Sequence, residues 1–410
     1  MRPFWFCLPL ALSGCSSAST SDAPRRTAEP DSGREDARPV ADAGHESARD
    51  ALSADEREPD AAGNGDSAEA LLDGCTGSVA VVGGTVSGAS TIAFGATLDR
   101  GGTWLVSSLP SNVTSTPAIA AFAGGFVAVF VDADGDLESA TSTWSWSSPS
   151  SVGGVNAVGA PSLAVVGTSL HVVYQGDDFK YVHGIYTSGA GWNSADDPVG
   201  GASKQGFGPS PPVAASASGA LSIAYGGQDG ALYDETWTGG AWQPDTEHMG
   251  TTVGALAPAI TALSGGTSDL LIVYADPGGV LYFTSRSAGT WSAAAVIDAT
   301  AFTDAAPSLV ALSGGRAMMA YLGTNGLPYF SVYDPANTPA WTSPASIGTD
   351  PPGVSSPPAV APGVCGDEVV AVLTEAAGVA CLSYAAGAWQ SPTMLPGTAG
   401  MTFAAVGSQP

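Results

Sequence analysis

The pattern that decides the fold is clearest in Leu221-Ser-Ile-Ala-Tyr-Gly-Gly-Gln-Asp-Gly-Ala-Leu-Tyr-Asp-Glu-Thr-Trp-Thr-Gly-Gly-Ala-Trp242. Two runs of strand-forming residues, 221–225 and 231–237, flank an Asp229-Gly230 turn, and a second glycine-rich turn precedes the final tryptophan. Asp-Gly pairs supply the positive φ that primed hairpin turns demand. The stretch therefore predicts antiparallel strands joined by tight turns.

The same pattern recurs along the chain, and each copy carries an anchor tryptophan. In the last six copies a proline opens a run of small apolar residues ahead of the pattern, as in Pro161-Ser-Leu-Ala-Val-Val and Pro258-Ala-Ile-Thr-Ala-Leu. That run supplies one more strand, so a unit has four. The anchors stand 42, 46, 50, 49, 50 and 48 residues apart at Trp104, Trp146, Trp192, Trp242, Trp291, Trp341 and Trp389.

Four hairpin-linked strands in each period are typical of a propeller blade, whereas the competing architectures, a β-sandwich and a parallel solenoid, do not call for them. We predict an all-β fold, a seven-bladed β-propeller of four-stranded antiparallel blades over residues 75–410. The first unit lacks a first strand, and residues 401–406 resemble one. The C-terminal strand should therefore lie innermost in the N-terminal blade and close the ring.

Five cysteines are too few and too scattered for a disulfide scaffold or a zinc ribbon. Cys75 and Cys365 fall at equivalent first-turn positions of the first and last units. A Cys75–Cys365 disulfide would join the ends of the ring. Pairing of either one with Cys381, or three free thiols, are the alternatives that sequence leaves open.

The N-terminus has one basic residue, Arg2, an apolar run over residues 4–12, and small residues just before Cys15. This arrangement resembles a bacterial lipoprotein signal, and the run is too short for a membrane span. The resemblance implies cleavage after residue 14, lipidation of Cys15 and export in a Gram-negative bacterium. Serines after the cysteine favour the outer membrane or cell surface. An ordinary secretory signal is the alternative.

Residues 15–74 have the composition of a tether. Residues 16–74 hold 15 acidic residues and 6 arginines, with no aromatic residue. Such a segment cannot bury enough apolar surface to offset its ordering entropy, so we predict a disordered acidic tether. The whole chain has 12 basic against 38 acidic residues, a net charge of -26, which argues against nucleic acid as a partner.

One stretch resembles the Asp-box of sialidases and related BNR-repeat proteins, S/T-x-D-x-G-x-T-W. It supplies Thr97, Asp99, Gly101, Thr103 and Trp104. In that family the motif forms the turn between the third and fourth strands, away from the sugar site. The resemblance therefore implies a propeller more strongly than it implies an enzyme.

Catalysis is not expected. A sialidase-like enzyme needs converging arginines, and residues 75–410 contain only Arg100, Arg286 and Arg316, in three different units. No G-x-S-x-G motif occurs, and three histidines, 171, 183 and 248, lack metal-ligand spacing. We expect no catalytic residues and no cofactor.

A weak calcium candidate lies at Asp132, Asp134, Asp136 and Glu138, because alternating carboxylates can surround a hard cation. The same register carries the Asp229-Gly230 turn in another unit, where no acidic neighbours follow. A hairpin turn with solvated carboxylates is therefore the preferred interpretation.

The Trp-anchored ring is similar to the six- and seven-bladed propeller lectins, which bind fucose and related sugars between blades through an arginine, an acid and an aromatic ring. Third-strand residues of matching types are the carbohydrate-binding candidates. Alternation along a strand puts three of them on one face, although ordinary blade packing explains the same pattern. The candidates are Tyr233, Glu235, Trp237, Tyr282, Arg286, Tyr181, His183 and Tyr186.

These patterns predict a monomeric, lipid-anchored envelope protein whose propeller binds a glycan without catalysis. Weak sites repeated around the ring would act through avidity. A protein-interaction or structural role in the envelope is the alternative, and a sialidase-like glycoside hydrolase is the third hypothesis.

Overall fold

A computed structural model describes residues 78–84, 93–98, 104–109, 113–143, 145–154, 156–193, 197–199, 213–248, 251–348, 353–363 and 368–409. All of them belong to one compact unit, residues 62–410. The predicted signal, tether and Cys15, the cysteines Cys75 and Cys365, and Asp99, Gly101 and Thr103 of the Asp-box lie outside the described residues. Among the described residues no helix has the length and apolar character that a membrane crossing requires.

The described strands form seven antiparallel sheets, numbered here 1 to 7 in chain order of their second strands. First strands are rich in alanine, valine and serine, and five of the seven have only four or five residues. In sheets 1 to 7 they are Phe403–Gln409 (β32), Ala118–Phe122 (β4), Ala157–Val166 (β8), Val213–Ala217 (β13), Ala259–Ala262 (β18), Ser308–Ala311 (β23) and Ala359–Pro362 (β27).

Second strands are almost wholly buried and supply most of the core. In the same order they are Ser78–Gly84 (β1), Gly125–Val131 (β5), Ser169–Gly176 (β9), Ala220–Gly226 (β14), Leu270–Ala275 (β19), Ala317–Leu322 (β24) and Val369–Glu375 (β28). Third strands follow after a tight turn. They are Ala93–Leu98 (β2), Leu137–Ser142 (β6), Tyr181–Thr187 (β10), Leu232–Thr238 (β15), Leu281–Ser287 (β20), Pro328–Tyr333 (β25) and Gly378–Ala385 (β29).

The fourth, outermost strand is split into two short pieces in four sheets, and both pieces pair with the third strand. Fourth strands are Trp104–Leu109 (β3), Ser150–Ser151 (β7), Gly191–Trp192 (β11) with Asp197–Pro198 (β12), Ala241–Trp242 (β16) with Thr246–Glu247 (β17), Thr290–Trp291 (β21) with Ala295–Val296 (β22), Ala345–Ser346 (β26), and Ala388–Trp389 (β30) with Thr393–Met394 (β31). A 3-10 turn, Ser313–Gly315, joins β23 to β24. The predicted all-β fold of four-stranded antiparallel blades is confirmed.

The first strands contact one another in a closed circle, from β32 through β4, β8, β13, β18, β23 and β27 back to β32. The sheets therefore surround an axis, as the blades of a propeller do. Sheet 1 combines the two ends of the described chain, because β32 pairs antiparallel with β1 from Ser78↔Gln409 to Gly84↔Phe403. The prediction that the C-terminal strand lies innermost in the N-terminal unit is confirmed, although the strand begins two residues later than predicted.

The turns between second and third strands differ from the primed two-residue turns that the sequence predicted. In the turn of sheet 2, between β5 and β6, Gly135 N donates to Asp132 O at 3.3 Å, and Asp132 N donates to Asp136 O at 3.0 Å. These bonds enclose a three-residue loop whose last residue alone is left-handed, with φ of 87° at Gly135. The carboxylate of Asp132 holds the loop by accepting from the backbone N–H groups of residues 134 and 136, both at 2.9 Å.

Prolines precede the first strands of sheets 5 and 6, as predicted, at Pro258 and Pro307. Pro161 differs, since it lies inside β8. The register of β8 against β9 shifts between Val158 and Ser162, which marks a bulge. A bulge is one of the few places in a sheet where a residue without an N–H group is tolerated.

Cys381 is a free thiol, fully buried in the core that sheets 1 and 7 share. A disulfide to Cys381 was therefore a wrong alternative. Burial in apolar surroundings raises the pKa of this thiol to about 12, so it behaves as a small apolar side chain.

We expect the closure of the ring to depend on the apolar face of β32. Ala404 is buried at 5% exposure in the same core as Val79 and Val372. Ala404→Asp places an unpaired carboxylate there and should reduce the free energy of unfolding by about 3 kcal/mol or more. Denaturant unfolding measures this loss. The control is Ala399→Asp, at an exposed position just before β32, and equal losses in the two variants would contradict the role of the strand.

Candidate functional site

A repeated contact, built around the anchor tryptophans, joins each sheet to the next. Each anchor pairs with one third-strand residue of its own sheet, as Trp192 pairs with Tyr186. Three positions before that paired residue, the third strand carries a side chain on the opposite face of the sheet. This face lies toward the following sheet. We call this the plug position. Its occupants in sheets 2 to 7 are Ser139, His183, Asp234, Phe283, Phe330 and Cys381.

We call the space between two neighbouring sheets a joint, and large side chains at the plug position fill most of the joints. Phe283 packs edge-to-face on Trp341 of the next sheet, with ring centroids 5.7 Å apart, and Phe330 packs on Trp389 at 5.5 Å. His183 lies 5.2 Å from Trp242 in the same geometry. Asp234 contacts His248 Nε2 at 2.9 Å, and the imidazole then packs on Trp291 at 4.8 Å. An aromatic or imidazole ring therefore fills each of these four joints.

The joint between sheets 2 and 3 is different, because its plug is a serine. Ser139 Oγ accepts a hydrogen bond from Trp192 Nε1 at 2.9 Å, but the side chain is too short to fill the space. A cavity of about 530 Å³ remains. Aromatic rings and hydroxyl groups line it, among them Ser139, Thr141, Ser147, Ser150, Tyr186 and Trp192.

A second cavity of about 390 Å³ adjoins the first and shares Thr141, Ser147 and Tyr186 with it. We call the two cavities together the trough. Ser142 and Trp146 line the second cavity, and Ser142 is 97% buried, with 3% exposed. Neither Ser142 Oγ nor Trp146 Nε1 has a hydrogen-bond partner among the described residues. Trp341 Nε1 and Trp389 Nε1 likewise have no partner among the described residues, in joints that are closed, so this feature does not distinguish the trough.

The hydroxyl groups of the trough are held by the sheet that carries them. Thr141 N donates to Ser147 Oγ at 3.1 Å, which fixes the serine beside the third strand. Tyr186 lies between Phe122, at 5.8 Å, and Trp192, at 5.1 Å. Among the described residues that line the two cavities there is no Lys, Arg, Asp or Glu. The trough therefore offers aromatic faces and neutral donors and acceptors.

The trough takes one residue from the eight carbohydrate-binding candidates, Tyr186. Tyr181, His183, Tyr233 and Glu235 are at most 2% exposed, in the joint between sheets 3 and 4. Trp237 packs there on His171 and His183, with ring centroids 5.1 and 5.5 Å away. Tyr233, Glu235 and Trp237 do share a face, as predicted, but it is the face covered by sheet 3.

Arg286 and Tyr282 lie on β20 in the joint between sheets 4 and 5. The guanidinium of Arg286 binds Asp269 of its own sheet through Nη2, at 2.8 Å, and lies 5.7 Å from the centroid of the Trp291 ring. Tyr282 stacks on Tyr274 at 5.6 Å. Both side chains are thus engaged within the blade framework.

Sequence reasoning missed the hydroxyl residues of the trough. Serine and threonine are common in this chain, so no single one stands out. The available signal was positional: Ser139 stands where other units carry Phe283, Phe330 or His183.

His171 and His183 lie on adjacent strands, and their Nδ1 and Nε2 atoms are 2.8 Å apart. Burial lowers the pKa of each imidazole to about 4, and the neighbouring His183 contributes to the shift of His171. Sequence separated these residues into different elements, and strand pairing brings them together. Among the described residues no group of three His, Cys, Asp or Glu side chains could hold a metal ion, the calcium candidate at 132–138 included.

Glu235 is 2% exposed, and neither carboxyl oxygen has a hydrogen-bond partner among the described residues. Burial raises the pKa of this carboxyl to about 8, and the charges of Asp245 and Asp234 add to the shift. The side chain is therefore held in its neutral form near pH 7.

Comparison with known proteins supports the fold. No family model matches the sequence, and no curated protein is similar to it. The structure is similar to that of the BP39L lectin from Burkholderia pseudomallei, with a TM-score of 0.59 and 14% identity, over 74% of this chain and 94% of the lectin. That similarity shows the β-propeller fold.

Two other proteins align less closely. AofleA from Arthrobotrys oligospora has a TM-score of 0.49 and 16% identity, over 72% of this chain and 90% of that one. A lectin from Aleuria aurantia, described as having a six-bladed β-propeller fold and a novel fucose recognition mode, has a TM-score of 0.46 and 16% identity, over 70% of this chain and 99% of that one.

The buried carboxyl of Glu235 should make stability depend on pH. Between its ordinary pKa of 4.5 and the folded value of about 8, the folded protein keeps a proton that the unfolded chain has released. Stability therefore falls as the pH rises through this window. Glu235→Gln removes the effect and should be more stable than the wild-type protein at pH 9, by an amount that shrinks toward pH 5.

Denaturant unfolding at pH 5 and pH 9 measures the difference between variant and wild type. The two histidines with lowered pKa destabilise both proteins equally on acidification, so they cancel in that difference. Glu247→Gln, an exposed glutamate of the same sheet, is the control. A wild-type and Glu235→Gln difference that does not change with pH would show that the carboxyl has no raised pKa.

Proposed function

We propose that this chain is a lectin-like, non-catalytic propeller with seven blades, and that it binds carbohydrate in the trough between sheets 2 and 3. The observation that carries the proposal is the trough itself. Sugars stack their apolar faces on aromatic rings and exchange hydrogen bonds with neutral polar groups. Tyr186 and Trp192 supply the rings, and Ser147 and Thr141 supply hydroxyl groups.

The propeller fold of the Burkholderia lectin supports this proposal at the level of architecture. One neighbour, SapL1, was solved in complex with alpha methyl fucoside, and it too is called a lectin. The binding mode differs from the one expected by resemblance, because no arginine or acid is found among the described residues that line the trough. The lack of an acid, base or cation among those described residues also supports binding without catalysis.

The propeller would act at the outer membrane or cell surface. The support is the N-terminal sequence, with an apolar run before Cys15 and an acidic, aromatic-free segment up to residue 74. In this proposal Cys15 carries the lipid, residues 15–74 form the tether, and residues 75–410 fold into the propeller. The Asp-box residues, Thr97 to Trp104, then make a rim turn and take no part in binding.

The full-length chain should bind at least one neutral glycan on a glycan array. Tyr186→Ala removes the ring that both cavities share and should weaken binding by tenfold or more, on the scale of one stacking ring. Tyr384→Ala is the matched control, because Tyr384 contacts its own anchor at 5.2 Å as Tyr186 does at 5.1 Å, in a joint closed by Phe330.

Equal loss in both tyrosine variants would point to general destabilisation and against the trough. Capture of a stoichiometric envelope protein, with no glycan bound, would favour the interaction role instead. Turnover of a fluorogenic sialoside by the wild-type chain would overturn the non-catalytic part of the proposal.

Cys15→Ala should release the protein from the membrane fraction, because lipid attachment needs the thiol at that position. Fractionation with immunoblotting measures the distribution, and intact mass of the wild-type protein measures the lipid. Cys7→Ala is the control, since that residue would leave with the signal peptide. Membrane association that survives Cys15→Ala would contradict lipid anchoring.

A further inference from the structure

We propose that the trough selects a neutral oligosaccharide and holds one sugar unit in each of its two cavities. This inference rests on the proposed carbohydrate-binding function and adds the class and length of the ligand. Two observations carry it: the charge of the trough and its division into two cavities.

The charge of the trough excludes an acidic sugar. A carboxylate or sulfate group needs a cation or several N–H donors when it leaves water, and in the described part of the chain no Lys, Arg or His lines either cavity. The chain as a whole carries a net charge of -26, so an anionic ligand is also repelled on approach. A neutral sugar meets neither obstacle.

The two cavities set the length of the ligand. Their volumes of about 390 and 530 Å³ each fall within the range of roughly 300 to 1,000 Å³ that is usual for small-molecule sites. Thr141, Ser147 and Tyr186 line both, so they form the boundary across which a glycosidic linkage would run. A single sugar would leave one cavity filled with water.

The chemistry of the two cavities differs. Ser142 and Trp146 are among the residues that line the smaller one, but Ser142 Oγ and Trp146 Nε1 are themselves buried, and Trp146 packs against residues of sheet 1. In the larger one Ser139 Oγ is already engaged by Trp192 Nε1 and lies 3.3 Å from Ser150 Oγ. The larger cavity therefore adds affinity when a second sugar unit is present.

The plug position offers a way to close one subsite alone. Ser139→Phe introduces the side chain that Phe283 and Phe330 provide in closed joints, where it packs on an anchor tryptophan. We expect this variant to bind an oligosaccharide no more tightly than its terminal monosaccharide. The wild-type chain should bind the oligosaccharide at least tenfold more tightly than the monosaccharide.

Ser147 and Ser292 give a pair of variants matched in structure. Each serine follows its anchor tryptophan and accepts from a backbone N–H of its own third strand at 3.1 Å, from Thr141 and Ser285 respectively. Both alanine variants lose that same bond, so their stabilities should fall alike. Only Ser147 lines the trough, so only Ser147→Ala should weaken binding, by about five- to tenfold for one lost hydrogen bond.

The experiment uses an array of neutral oligosaccharides, their terminal monosaccharides, and their sialylated or sulfated forms, followed by calorimetric titration of the best neutral binder. The expected result is binding of neutral oligosaccharides, at least tenfold weaker binding of the acidic forms, and a loss in Ser147→Ala that Ser292→Ala does not share. Preference for acidic glycans, or equal affinity for monosaccharide and oligosaccharide, would overturn this inference and leave the lectin-like function standing. Absence of all glycan binding would overturn both.

Discussion

The contact between a third-strand side chain and the anchor tryptophan of the next sheet is the constraint on which the ring depends. Neighbouring blades diverge from the axis, so the space between them widens toward the rim and must be filled by large side chains. A tryptophan from one side and a phenylalanine or histidine from the other supply that volume, with centroids 5.2 to 5.7 Å apart at Trp242, Trp341 and Trp389. Edge-to-face packing of such rings adds stability beyond the area buried. Where a small side chain such as Ser139 stands in place of a ring, the space between the two blades is not filled. A structural contact is then replaced by an open site.

The repeated unit and the closure of the ring could be predicted from sequence, because both depend on short residue patterns that recur in each unit. Glycine ends the loop between the second and third strands in sheets 2, 4, 5 and 6, and the anchor tryptophan recurs once per unit. The number of strands in a unit therefore follows from the runs that these residues separate. The pairing of β32 with β1 could be predicted because the first unit visibly lacked one strand. The turn geometry could not be predicted in detail, because Asp132 caps its loop through a carboxylate that also suits a metal site, and only the backbone bonds distinguish the two. The bulge that admits Pro161 is likewise invisible in a run of apolar residues.

The candidate site was predicted poorly because it depends on which sheets face each other and on the size of a single side chain. Alternation correctly assigned Tyr233, Glu235 and Trp237 to one face, but it carries no information about what covers that face. The aromatic and charged residues that stand out in the sequence are the ones that fill the joints between sheets. Conversely, Ser139 and Ser147 are ordinary residues, and only the comparison of equivalent positions between units reveals that the first of them leaves a gap.

One open joint among those described between sheets 2 and 7 changes how affinity can be built. Sites repeated around a ring, as the sequence suggested, gain from avidity on a repetitive target even when each site is weak. In this chain the described joints between sheets 3 and 4, 4 and 5, 5 and 6, and 6 and 7 are filled by rings, so avidity within one molecule is not the natural source of affinity. The remaining routes are a longer ligand that touches both cavities of the trough, or many copies of the protein on one surface.

The first route follows from the geometry of the trough, since two cavities already share one aromatic ring and two hydroxyl residues. A lipid anchor would supply the second route by concentrating copies in a membrane, so a weak single site per molecule and an anchored chain are mutually consistent.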